Sequence, residues 1–589
     1  MGLAYTIDTP IKVARYGINS VISIIEDKLI ELMRRYYYQQ SEKTYTPITS
    51  KEEDYRARRI TDYLNLVNVI VSEQIQKLRT AVFETGSEIT KYFEMLPGNS
   101  PLRLAFEKML RSTCDEEKQT LEEYLRSQIT PGRIDVNIMT KVDKNNYDKN
   151  GQLLADSSDA LAALRGYARS ALTNSSIVFS AGLNLRLFNY VEKFDAFHAR
   201  GHGQFDKEIV IKVSDYRSAL VQGKYLAKKG LWVSEFRIES GLNCGGHAFA
   251  TDGGLIGPIL DEFKGKRAEL IETLHKLYQP AAMAKGIPVF DEPHPLRVTV
   301  QGGVGTSEEA SFLVSHYDIS SVGWGTPFLL CPEATTVDNE TLNLLRKATD
   351  DDLELSHASP LGVRFNYLKG TTAQRERLLR VTRDKPGSPC TEKHLVSNTE
   401  FTKEPICTAS HTYQKKKIEQ LRSLNLPKDQ YLKQYDEVVN KECLCIGLSN
   451  SAILAYDLPR IKKLEAVTVC PGPNIAYFDK VVTLKDMTDH IYGRSNLIDA
   501  DKNRPHMFIK ELILNVEYLK EQALNLQETD TKTAKDLLDF SKNLLDGISY
   551  YRELATSLPR DTARFEEELT SCEREIHGLV SRLKGLSGA

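Results

Sequence analysis

Between Glu239 and Gly254 the chain reads ESGLNCGGHAFATDGG, with five glycines, one cysteine and one histidine in sixteen residues, directly after the apolar run LWVSEFRI. A turn needs one or two glycines. The pair Gly245–Gly246 in front of His247 implies a backbone that something must approach closely, with an imidazole beside it. Imidazole titrates near neutral pH, so His247 is the candidate general base or substrate-orienting group. The bland alternative is a loop histidine bonded to a neighbouring carbonyl.

Two more glycine clusters follow strand-like runs. VTVQGGVGTSEEA places Gln301, Gly302, Gly303 and Gly305 ahead of a helix start at Thr306–Glu308, and ISSVGWGTPFLLCPEA places Gly323, Gly325 and Thr326 after the next run. Bare backbone at a helix start offers several N–H groups and a favourable dipole, which suits a phosphate. Each cluster alone would also pass for an ordinary turn.

Four cysteines lie in a loop-rich stretch further on: Cys390 in SPC, Cys407 in PIC, and Cys443 and Cys445 in ECLCIGL; Cys470 follows in TVCPGPN. Cys390, Cys407, Cys443 and Cys445 are the candidate metal ligands, able as thiolates to hold a [4Fe–4S] cluster, with Cys470 a further candidate. Structural zinc competes, although its paired Cys-x-x-Cys spacing is absent. Buried thiols acting as small apolar side chains are the third reading.

The elements that must position these residues show in the pattern. At 589 residues the chain exceeds one compact core. Its charge of −3, with acids and bases interspersed, argues against a nucleic-acid partner. No apolar run reaches membrane-spanning length, and the amino terminus lacks a secretory layout. The odd count of nine cysteines then suggests a reducing compartment, and we expect a cytoplasmic protein.

IKVA and SVISI near the amino terminus read as strands. A helical insertion covers about 40–130. Six further runs (IDVNIMTKV, SSIVFSAGL, KEIVIKVS, LWVSEFRIES, RVTVQGGVG, ISSVGWGT) alternate with helical stretches. Eight strands alternating with helices predict an α/β fold, a (β/α)₈ TIM barrel over 1–350, with an open doubly wound sheet as runner-up. In a barrel the two later glycine clusters are the loops after strands seven and eight, where such enzymes often bind phosphate. A cysteine-bearing extension over 351–503 follows, then a helical region over 504–589. In its last helix Phe565, Leu569, Cys572, Ile576, Leu579 and Leu583 form one apolar seam, suited to docking on the rest of the chain or to a homo-oligomer contact.

GLNCGGHAF, VTVQGGVGTSEEASFLV and VGWGTPFLLCPEA together resemble the three FMN-binding signatures of nitronate monooxygenases, whose barrel flavin-dependent enoyl-acyl carrier protein reductases share. The resemblance spans roughly 6–334 and leaves the insertion and everything past 350 uncovered. It implies an FMN-dependent oxidoreductase with His247 beside the flavin ring. Gly245, Gly246, Gln301, Gly302, Gly303, Gly323, Gly325 and Thr326 would contact the cofactor. The sequence departs from the family at Cys244, Gln301 and Pro327, which puts the nitronate substrate in question. Two alternatives stay open: a flavin and iron–sulfur reductase fed by an electron-donor protein, and a non-catalytic interaction protein that has lost its flavin. The small-molecule substrate is not legible.

Overall fold

The computed structural model describes all residues except 1–3, 139–142, 148–149, 151, 246–250, 462–463, 500–501, 527–530, 559–561 and 588–589. Seven strands form one parallel sheet: β1 (Ser20–Ser23), β2 (Ile134–Asn137), β3 (Ser175–Phe179), β4 (Glu208–Val213), β5 (Glu235–Glu239), β6 (Arg297–Gln301) and β7 (Ser321–Gly323). Each strand pairs in parallel with the next one in the sequence.

Both sequence expectations of the fold need correction. Among the described residues β1 and β7 do not pair, so the sheet is not a closed eight-stranded barrel. The strand order also never reverses, as a doubly wound sheet requires. The missing strand is IKVA. Pro10 sets the first turn of a short helix, Thr9–Val13, and a 3₁₀ turn at Ala14–Tyr16 continues it. Ile11, Val13 and Ala14 are buried there. Their β-branched run records burial rather than extension.

The side-chain period of two divides the sheet into unlike faces. Val136, Ile177, Ile209, Ile211, Phe236, Ile238, Val298 and Val300 enter the main core, together with residues of helices such as α4 (Tyr216–Ala227) and α5 (Ile256–Ala284). The opposite face is polar. Arg237 donates to Asp135 (2.7 Å) and Glu235 (2.8 Å), Ser176 donates to Asp135 (2.6 Å), and Thr299 to Glu235 (2.7 Å). Arg133 and Arg297 both pair with Glu208. Following that face to the carboxyl ends of the strands leads to Asn137, Lys212, Glu239 and Gln301.

Helix α1 (Asp27–Gln40) leads into the insertion, which is helical and includes α2 (Tyr55–Thr80); α3 (Asp159–Ala168) packs closely on α2, where Gly166 has no room for a side chain against Ala57 and Ile60. Three helices close the chain: α7 (Met507–Asn525), α8 (Thr531–Leu554) and α9 (Thr562–Ser587), with α6 (Ser307–Tyr317) following β6. The seam of α9 docks inside the chain. Phe565, Leu569, Cys572, Ile576 and Leu583 share a core with Phe508, Leu512 and Tyr551 and with the sheet.

Candidate functional site

The stretch after β7 folds back across the carboxyl ends of the strands and roofs a cavity of about 310 Å³. The floor is made by strand ends: Asn137, Ser180, Lys212, Ser214, Glu239 and Ser240. The roof comes from Phe365, His394, Leu395, Leu444, Cys445 and Cys470. Lys212 Nζ lies 3.2 Å from Glu239 Oε1, which also accepts from Gln301 Nε2 at 2.6 Å. The cavity therefore has an apolar roof and a charged floor, within the size range of small-molecule sites.

His247 and Gly246 lie outside the described residues. Gly245 lines the cavity beside Cys244, and its N–H donates to the Cys470 carbonyl at 3.0 Å. Gln301 reaches the site only through Glu239. Gly302, Gly303, Gly323, Gly325 and Thr326 stand outside the lining, beneath the segment 470–474. Gly472 N–H donates to Thr326 Oγ1 (3.1 Å), and Asn474 Nδ2 donates to the carbonyls of Gly303 (2.7 Å) and Val304 (3.0 Å). Gly302 and Gly303 have φ of 100° and 87°, and a side chain on either would strike Asn243 or Leu242. Among the described residues the N–H groups of Gly302, Gly303 and Gly325 reach no protein acceptor. Open amides on glycines that tolerate close approach fit the phosphate of an FMN. Gly325 abuts Cys244, which joins these loops to the cavity wall.

A buried clamp fixes this corner. Arg504, just before α7, pairs with Glu309 of α6 at 2.7 Å, with both side chains under 4% exposed. It also donates to Asn474 (3.0 Å) and to the Gly303 carbonyl (2.8 Å). Burial raises the Glu309 carboxyl, but Arg504 outweighs it and holds it at about 2. On the other flank Glu511 of α7 joins both ends of the histidine loop, accepting from Ser240 Oγ (2.9 Å) and from the N–H of Ile256 (2.8 Å). Burial pushes this carboxyl up to about 7 against those donors.

The four candidate ligand cysteines meet behind the roof. Cys390 and Cys407 interact as one pair of thiols and Cys443 and Cys445 as another, and each pair feels the charge of the other. The backbone N–H groups of Lys393, Ala409, Ile446 and His394 favour the thiolate of Cys390, Cys407, Cys443 and Cys445 respectively. Ser388 adds a side-chain hydrogen bond to Cys443. Cys445 holds the Cys443 thiol below the ordinary range and Cys407 does the same for Cys390, while Cys407 and Cys445 are themselves pushed above it. Cys390 sits at φ 47°, so its turn bends the backbone to place the sulfur. Cys445 is also part of the cavity wall. Cys470 also lines the cavity, and its carbonyl accepts from the Cys244 thiol at 3.5 Å.

Two metal chemistries suit four cysteines. Around one zinc ion, bonds of about 2.3 Å bring all four sulfurs within roughly 4 Å of one another. Among the described residues the one trio of metal-ligating side chains within 4.8 Å is Glu26, Glu392 and His394, so no three of these sulfurs lie so close. Four cysteines gathered from separate loops are also the donor set of an iron–sulfur cluster, which Cys390, Cys407, Cys443 and Cys445 would hold.

Sequence reading missed Lys212, Glu239 and His394. The signal for the first two was present: EIVIKV and EFRIE each put a charge at the end of an otherwise buried strand. His394 gave none, because its role depends on Glu26 and Asp159, far away in the chain.

No known family profile matches the chain, and no curated protein does. Among solved structures it is similar to the enoyl reductase domain of MlnA from the macrolactin biosynthesis cluster of Bacillus amyloliquefaciens. That match has 13% identity and a TM-score of 0.35, over 67% of this chain and 86% of the other. The likeness is too distant to inform either the fold or the activity. No helix among the described residues is long and apolar enough to cross a membrane.

Proposed function

We propose that the protein is an oxidoreductase that uses FMN and a [4Fe–4S] cluster to reduce a small molecule bound in the roofed cavity. The convergence of Cys390, Cys407, Cys443 and Cys445 behind the cavity wall, with Cys445 in the wall itself, carries this reading. The resemblance of the three glycine signatures to nitronate monooxygenases supports the flavin, and so do the open amides of Gly302, Gly303 and Gly325. When bound, the cluster supplies electrons singly and the flavin supplies hydride chemistry.

The chain's own residues do the rest. Lys212 brings a positive charge to the floor, where it can orient a carbonyl or carboxylate, and Glu239 fixes the lysine. The apolar roof excludes water from the reacting end. A cluster favours a reductase over a nitronate monooxygenase, because oxidation of a nitronate by oxygen needs no second electron centre. An electron-donor protein would then be the partner.

Protein purified without oxygen should contain about four iron and four acid-labile sulfide per chain. It should also be yellow, with absorbance near about 450 nm and FMN released on denaturation. Colourless protein that takes up neither FMN nor iron would overturn the reading in favour of a non-catalytic interaction protein.

A further inference from the structure

We propose that Glu26, Glu392 and His394 form a second metal site, for a divalent first-row ion such as Mn(II) or Fe(II), at the edge of the cavity and distinct from the cysteine quartet. The three side chains offer ligand atoms that all lie within 4.8 Å of one another, and all three are buried. Ligand bonds of about 2.0–2.2 Å would bring them to one ion without a change in backbone.

Two of the atoms lack a hydrogen bond. His394 Nε2 and Glu26 Oε1 stand 3.6 Å apart, beyond hydrogen-bond reach, and neither has a hydrogen-bond partner. Leaving a buried imidazole nitrogen and a fully buried carboxylate oxygen unmatched costs roughly 1–3 kcal/mol each, so an ion between them resolves a real deficit. Glu26 Oε2 is taken by the Leu29 N–H at 2.5 Å, which aims Oε1 at the site. On Glu392 both Lys28 (2.7 Å) and Thr391 (2.9 Å) donate to Oε1 and leave the other oxygen to the ion.

The outer shell has the form that metal-bound histidines take. His394 Nδ1 faces Asp159 Oδ2 at 3.4 Å, so a carboxylate orients the ring and directs Nε2 towards the ion. Two carboxylates balance a 2+ ion that displaces the proton which Asp159 and Glu26, against burial, otherwise hold on His394, and this oxygen-rich set suits Mn(II) or Fe(II) better than the thiolates nearby do. His394 also lines the cavity, so a cavity ligand can complete the coordination shell. The competing arrangement is an ion triad in which a protonated His394 lies between Glu26 and Asp159.

Titration of the purified protein with Mn(II), followed by loss of the free-ion six-line EPR signal, decides between them. We expect one tight site per chain, kept in the doubly substituted C443S/C445S chain and weakened at least about tenfold in Glu26→Gln and His394→Gln. Asp159→Asn should weaken binding about 10- to 100-fold through the outer shell alone. Circular dichroism confirms that each variant is folded, and Glu392→Gln replaces any that is not. No uptake by the wild-type chain, or equal uptake by the folded Glu26 and His394 variants, would overturn the site and support the ion triad. Loss of uptake only in C443S/C445S would overturn it by assigning the ion to the thiols. Because the probe is Mn(II), failure here leaves the iron and sulfide content of the quartet untouched.

Discussion

The four tail thiols divide by pair: Cys390 and Cys443 are held below the ordinary thiol range, while their partners Cys407 and Cys445 are pushed above it by the paired thiol and by burial. Replacing Cys407, Cys443 or Cys445 by serine should remove most of the iron and sulfide. The same change at Cys470 or Cys572, which lie outside the quartet, should leave both in place, as colorimetric analysis of each purified variant would show. The candidacy of the quartet was legible in the sequence from the proline or glycine close to most of these cysteines. Which four would meet was not, because 53 residues separate Cys390 from Cys443 and only the folded tail aligns them. His394 was illegible for a similar reason. It becomes functional through Glu26 and Asp159, which the chain supplies from elsewhere, and it carries no local motif.

At the level of elements, the loops that matter are fixed by helices remote in sequence. Arg504 holds β6's glycine loop to α6, and Arg504→Met would leave Glu309 buried without its counter-charge. We expect a loss of about 3–5 kcal/mol, measured by urea denaturation. Glu511 ties the two ends of the loop that carries His247, which makes α7 part of the site's scaffold. Glu511→Gln keeps the shape but swaps one acceptor for a donor that faces the Ile256 N–H. That loop should then be cleaved faster by limited proteolysis. Strand positions 134–137, 175–179, 208–213, 235–239, 297–301 and 321–323 were legible because buried parallel strands read as short β-branched runs. The eighth strand was a misreading of the same signal, since Ile11 and Val13 are as β-branched as any strand but follow Pro10 into a helix.

Across the whole molecule, two buried carboxyls tie stability to pH with opposite signs. Glu309 is held at about 2, below its unfolded value, so its contribution of about 3 kcal/mol is present above about pH 4.5 and is lost as pH falls towards 2. Glu511 is raised to about 7, so its contribution, of similar size, is present below about pH 4.5 and is lost as pH rises to 7. Denaturation at pH 5 and pH 8 should therefore show a smaller difference for Glu511→Gln than for the wild-type chain. The core supports a related expectation. Helices α7 to α9 share one buried cluster with the sheet, so a chain ending at residue 350 should fail to fold, with no cooperative thermal transition.

The central claim is that the tail brings one redox centre to the cavity wall, and diffraction at the iron absorption edge from crystals grown without oxygen tests it most directly. The account predicts a single anomalous peak of cluster size among the sulfurs of Cys390, Cys407, Cys443 and Cys445, next to the cavity. Four sulfurs with no iron between them, whether as thiols, as two disulfides or around a zinc ion, would contradict it.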